Sequence, residues 1–188
     1  MAGASGMNYN IEGNAGLIKF GREAADIQRC HTIRTIGEYP IGQHSFNMLL
    51  ILRVLWPDAP KELLWAIIEH DIPERLTGDI PSPSKWAGIV DKALLSEFER
   101  LLMITLYGTH HEGDLSEHLA SWLRGLDILE LWMFTQDQIM LGNQNFHSMA
   151  LRIDRFMKSS AHLIAGPVLD LYHELCNYPW ERMPELGD

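Results

Sequence analysis

Residues 44–56 read HSFNMLLILRVLW and residues 61–71 read KELLWAIIEHD, with Pro57 and Pro60 between them. Both runs carry apolar residues at helical spacing. Pro57 stops the first, and Pro60 stands at the opening of the second, where its missing N–H costs least. Working outward, residues 14–28 (NAGLIKFGREAADIQ) form a first helix upstream. Downstream, Thr77-Gly-Asp-Ile-Pro-Ser-Pro-Ser84 ends regular structure, and helix resumes over 88–106. A loop at 108–114 (GTHHEGD) precedes the longest helical pattern, from Ser116 to about Leu141, which Gly142-Asn143 terminates. Two further helices fit 145–160 and 165–177, with Pro179 closing the last. No stretch alternates with period two for long enough to make a strand. The expectation is one all-α domain, a bundle of about six or seven helices over 14–188, behind a flexible N-terminal stretch 1–13.

Composition bounds the function classes. The chain has 188 residues, 46% of them apolar, enough for one domain with a substantial core. No run approaches the ~20 apolar residues of a membrane span. The formal net charge of −10 disfavours broad nucleic-acid binding, because surfaces that track phosphate backbones are basic. It leaves open a small phosphorylated ligand, which needs only one or two local cations. Met1–Met7 has no apolar stretch of secretory type, and two cysteines, Cys30 and Cys176, are too few for a disulfide framework. Both point to a reducing, cytoplasmic setting.

The chemistry concentrates in four residues. His70-Asp71 ends an apolar helix, where an unpaired carboxylate would be expensive. His44 lies in the first turn of the preceding helix. Asp127 sits inside SWLRGLDILELWMF among Leu126, Ile128, Leu129, Leu131 and Trp132. Two imidazoles and two carboxylates on three packed helices can converge in a bundle core, where such folds build metal sites. Mixed N/O ligation suits one first-row divalent ion such as Zn, Co or Mn. Glu74, three residues beyond Asp71, is within helical reach of the doublet, although Pro73 complicates its direction.

Read together, Arg29, His44, HDIPERLTGDIPSPSK (70–85), Asp127 and LGNQNF (141–146) resemble the HD-domain 5′-deoxynucleotidases of bacteria and the related phage deoxynucleoside triphosphate hydrolases. The likeness spans residues 17–160. It implies an HD-type helical bundle in which His44, His70, Asp71 and Asp127 hold one divalent ion. It further implies that Glu74 and Asp79 handle the proton and the attacking water, and that Arg29 and Lys85 neutralise phosphate. The substrate would be a 2′-deoxynucleoside 5′-phosphate, with phosphate released from a monophosphate. The alternatives are release of triphosphate from a deoxynucleoside triphosphate, and a non-catalytic nucleotide-binding regulator. The resemblance also implies a homo-oligomer, for which the apolar helix 126–141 can serve as interface or as core. One position departs: the family commonly has Trp after the Arg, packed on the sugar, and this chain has Cys30. Either selection against ribonucleotides is weaker, or Ile33, Ile36 or Trp86 fills the space; Trp86 is also the tryptophan expected nearest the substrate.

Bland readings stand beside these. Asp127 can instead form a structural salt bridge with Arg124 or Arg29. Arg29 can simply end the first helix, and Lys85 can be a solvated loop lysine. His110 and His111 read as surface loop. His31 and Arg34 have only proximity to Arg29 in their favour.

Overall fold

The computed structural model describes residue 11, residues 13–81, 84–85 and 87–179. Trp86, Ser82, Pro83 and most of the 1–13 stretch therefore lie outside the described residues. Among those described there is no strand, only an isolated bridge between Gln28 and Pro40. The all-α expectation holds, with seven helices of nine residues or more and one four-residue turn of helix. These are α1 (Gly13–Ala25), α2 (Ile41–Leu55), α3 (Lys61–Glu69), α4 (Glu74–Thr77), α5 (Lys92–Tyr107), α6 (Glu117–Met140), α7 (His147–Ser159) and α8 (Gly166–Cys176). Short 3-10 turns at Gln144–Phe146 and Ala161–Leu163 lead into α7 and α8.

Local chemistry explains most of the boundaries. Pro40 and Pro60 are the extended residues before α2 and α3. The carboxylate of Asp91 accepts from the N–H groups of Ala93 and Leu94, and Ser116 Oγ accepts from Leu119, so α5 and α6 each begin on a side-chain cap. Gly108 ends α5 in the left-handed conformation (φ 75°), which carries no Cβ penalty in glycine. Helix α1 stops at Ala25 rather than at 28, and α2 starts three residues before His44. Helix α5 begins at Lys92 rather than at 88, because Asp91 supplies the cap.

Helix α6 is the axle. Trp122, Leu126, Leu129 and Trp132 face a core shared with Met48 and Leu52 of α2, Leu63 and Ile67 of α3, Met157 of α7, and Val168 and Tyr172 of α8. Gly125 lets α8 approach, since a Cβ there would lie 2.8 Å from Ile164 Cγ2 and 3.2 Å from Val168 Cγ1. A second core, Phe20, Ala24, Ile72, Met103 and Leu106, joins α1 and α5 to the segment after His70. The apolar part of 126–141 is thus spent mainly on the core. No helix among the described residues is long and apolar enough to cross a membrane.

Candidate metal centre

Three elements of the main core deliver the candidate ligands. His44 comes from α2 and is fully buried. His70 caps the C-terminus of α3 with Asp71 directly after it, and Asp127 comes from the middle of α6. Donor atoms of His44, His70 and Asp71 all lie within 4.8 Å of one another. Asp127 Oδ1 is 3.1 Å from His44 Nε2, and Asp71 Oδ2 is 3.2 Å from His70 Nε2 and 4.0 Å from His44 Nε2. Asp127 is the most open member, its side chain 43% exposed against 13% for Asp71.

Both imidazoles are oriented by their other nitrogen. His70 Nδ1 is 2.9 Å from the Ile67 carbonyl, and His44 Nδ1 is 2.5 Å from Glu130 Oε2. A proton on each Nδ1 satisfies these contacts and leaves each Nε2 as a lone pair. Both Nε2 atoms are buried without a hydrogen-bond partner. Lone pairs then face carboxylate oxygens across ~3 Å, an arrangement that repels unless a cation stands among them. The donor set, two nitrogens and two carboxylates, fits a first-row divalent ion.

Without such an ion, protons and Arg29 supply the positive charge. Arg29 donates to Asp71 and, at 3.1 Å, to Asp127 Oδ1. Burial of His70 opposes its charge, but the adjacent Asp71 outweighs this and raises the imidazole to about 9. Asp71 and Asp127 are likewise penalised by burial, yet they are held below the ordinary carboxylate range. For Asp71 the histidines and Arg29 do this; for Asp127 it is chiefly the contact with His44 and the charge of Arg29. The salt bridge from Asp127 to Arg29 thus coexists with the approach of Asp127 to His44. Arg124 plays no part, because it donates to the Leu163 carbonyl.

Pro73 does not kink α3; it precedes the new turn α4, whose first residue is Glu74. Glu74 is 8% exposed and its Oε2 has no hydrogen-bond partner. Burial, with Asp71 and Asp79 nearby, pushes its carboxyl up to about 8, opposed by Arg29 and Lys85. Asp79 Oδ2 accepts from the Cys30 N–H at 2.9 Å and lies 3.7 Å from His31 Nδ1. That contact anchors Cys30 in the left-handed region, at φ 56°. Burial also raises the Cys30 thiol to about 11, so it is neutral and serves as a small wall.

Arg29, Cys30, Ile33, Asp79, Ile128, Leu131, Met149 and Arg152 line a cleft of about 260 Å³ beside the acidic cluster. Ile33 is the side chain that flanks Cys30 there. Ile36 is 48% exposed and Trp86 lies outside the described residues. Arg34 is exposed, and the GTHHEGD loop stays at the surface, with His111 Nδ1 2.7 Å from Glu69 Oε2.

Three residues escaped the sequence reading. Glu130, one helical turn beyond Asp127 and 3% exposed, accepts from His44, from the Tyr39 hydroxyl and, at 2.9 Å, from Asn47 Nδ2. Its signal was the spacing D-x-x-E inside an apolar run, which puts both carboxylates on one face. Gln138 pairs with both backbone groups of Ile36, at 2.8 and 2.9 Å, and Asn143 Nδ2 donates to the Arg34 carbonyl at 2.7 Å. These amides clamp the loop that follows Arg29 and Cys30, which gives the LGNQNF segment a physical role. No protein-family model and no curated protein matches the chain.

Proposed function

We propose that this chain is a metal-dependent phosphohydrolase of the HD type acting on 2′-deoxynucleoside 5′-phosphates, releasing inorganic phosphate from the monophosphate. One observation carries the reading: two buried imidazoles, each tied off at Nδ1, present Nε2 toward Asp71 and Asp127 beside a cleft with an arginine at its edge. His44, His70, Asp71 and Asp127 would hold the ion. The ion would supply Lewis acidity toward a phosphoryl oxygen and a water of lowered pKa. Arg29, released from its two carboxylates, turns its planar donors to the phosphate, with Lys85 as the second cation. Asp79 orients water against phosphorus. Glu74, which keeps its proton near neutral pH, protonates the departing 5′ oxygen. Water gives a proton to Asp79 and its hydroxide to phosphorus, the P–O5′ bond breaks with the Glu74 proton on O5′, deoxynucleoside and phosphate leave, and the proton on Asp79 returns through solvent to Glu74. The apolar walls Ile33, Ile128, Leu131 and Met149 suit a base and sugar rather than a second charged group.

Purified protein incubated with dNMP and dNTP panels plus Mn²⁺, Co²⁺ or Zn²⁺ tests this. Inorganic phosphate from dNMPs supports it. Free triphosphate from a dNTP replaces it with a triphosphohydrolase, and no turnover with Asp71-dependent nucleotide binding replaces it with a regulator.

A further inference from the structure

The cleft beside the acidic cluster holds a cation that the proposed reaction leaves unused. Among the described residues, its polar lining consists of Arg29 and Asp79, the neutral Cys30, and Thr32 and Arg152. Arg29, paired with Asp71 and Asp127, is the cation assigned above to phosphate. Arg152 comes from α7, a helix that supplies none of the candidate metal ligands. It stands three residues beyond Met149, hence on the same face of the helix, and Met149 and Ile153 are apolar wall of the same cleft. Its Nε donates to the Ser148 carbonyl at 3.3 Å, which lays the side chain along α7. Both terminal NH₂ groups are left without a protein acceptor among the described residues. The chain has 25 acidic residues against 15 lysines and arginines, so this arginine is not unpaired for want of carboxylates. The one acid on α7, Asp154, accepts instead from Trp132 Nε1 and the Tyr172 hydroxyl, each at 2.8 Å.

We propose that Arg152 reads the edge of the substrate's base and selects guanine over adenine. The inference rests on the reading of this cleft as a deoxynucleotide site. With phosphate at Arg29, base and sugar lie against the apolar walls that α6 and α7 supply, Ile128, Leu131, Met149 and Ile153. Those walls bury a purine ring without choosing between purines. The Thr32 hydroxyl both donates and accepts, so it does not choose either. A guanidinium only donates, and its planar fork matches two acceptors side by side. Guanine presents O6 and N7 in that arrangement, whereas adenine sets an N6 amino group beside N7, donor against donor. Arg152 is exposed, so water satisfies it opposite the wrong base. Selection therefore stays at the roughly 10–100-fold of one bidentate pair, below the ratios that a closed polar site reaches.

Two measurements on Co²⁺-loaded full chain test it. One is phosphate release from dGMP and dAMP. The other is calorimetry with the matching phosphonates, in which CH₂ replaces O5′ so that nothing turns over. The guanine ligand is expected to bind roughly 10–100-fold more tightly, with the difference in KM and not in kcat. Arg152→Met keeps the length of the stem without its donors; it brings guanine down to the level of adenine and leaves adenine unchanged. Arg152→Lys keeps the charge but not the fork, and loses most of the preference. Equal affinities in wild type, a preference that survives Arg152→Met, or a fall shared by both bases overturns the proposal; the shared fall assigns Arg152 to phosphate instead. Where Arg152→Met fails to fold, the 7-deaza guanine phosphonate decides on wild type: weaker binding than the parent supports the contact, and equal binding overturns it. A preference in calorimetry without phosphate release sinks the reaction assigned above and leaves base selection standing. Release without preference sinks base selection alone, and no binding of either phosphonate overturns it as well.

Discussion

Replacing Glu130 with Gln is the sharpest perturbation of the proposed metal centre that leaves its four candidate ligands untouched. The carboxylate accepts from three donors, His44 Nδ1, the Tyr39 hydroxyl and Asn47 Nδ2, in a pocket where it is 3% exposed. An amide of the same shape keeps one acceptor oxygen and turns two donors on its neighbours. His44 then holds its proton on Nε2 in a share of molecules, where it blocks the lone pair that the ion needs. Loss of a carboxylate behind a ligating histidine costs ~10–100-fold in metal affinity, which is about 1.4–2.7 kcal/mol at tenfold per 1.4 kcal/mol. Stability falls as well, by about 2–4 kcal/mol, because hydrogen bonds to a charged group contribute ~1.5–3 kcal/mol each and neutral replacements recover part of that. Titration calorimetry of metal-stripped protein with Co²⁺ or Zn²⁺ measures the first quantity, and denaturant unfolding of the same samples the second. Metal affinity within twofold of wild type in a folded Glu130→Gln protein refutes the claim that Glu130 fixes the His44 tautomer. Tyr39→Phe removes a single donor to the same carboxylate and is expected to change affinity much less.

Three further outcomes follow from other parts of the molecule. Leu129→Ala, at a fully buried position on the axial helix, lowers unfolding free energy by about 2–5 kcal/mol, measured by urea denaturation; a loss below 1 kcal/mol contradicts the central place of α6. Burial and the nearby Glu112 lift Glu99 from an ordinary 4.5 to about 7, against the opposing charge of Lys85. The folded chain therefore holds a proton that the unfolded chain has released between those values, and Glu99 costs stability increasingly as pH rises through that window. Glu99→Gln flattens the fall in Tm between pH 5 and 8, and an unchanged slope rejects the assignment. Asn143→Ala frees the Arg34 carbonyl and loosens the loop after Arg29, so KM for a deoxynucleotide rises several-fold while metal affinity is unchanged. A loss of metal binding in that variant shows the clamp to be part of the metal site instead.

The helical class and most helix positions were legible in the sequence, for the reason that Pro57, Pro60 and the Ser116 cap act locally, whereas the Asp91 cap, which sets the start of α5, went unread. The start of α2 was not legible either, since Pro40 directs the chain through a loop whose course depends on Gln28, Gln138 and Asn143. The grouping of His44, His70, Asp71 and Asp127 was legible because a buried His or Asp must be compensated, and apolar neighbours announce burial. Glu130 announces itself in the same way, amid Leu129, Leu131 and Trp132, but its partner His44 is 86 residues away, and only packing of α2 on α6 joins them. The outer face of α2 was not legible, because the apolar spacing of 44–56 does not say which side the single chain covers, and Phe46, Leu50 and Val54 stay exposed.

The proposed site holds a divalent ion through His44, His70, Asp71 and Asp127, with substrate phosphate beside it. Crystals of Co²⁺-loaded protein soaked with a deoxynucleoside monophosphate, with anomalous data at the cobalt edge, test it most directly. One strong peak per chain is expected, bonded to both Nε2 atoms at ~2.0–2.2 Å and to both carboxylates, with Arg29 turned from Asp71 and Asp127 to the phosphate. A peak at another position, such as the His110–His111 loop, or no peak at all in a nucleotide-bound crystal, contradicts it.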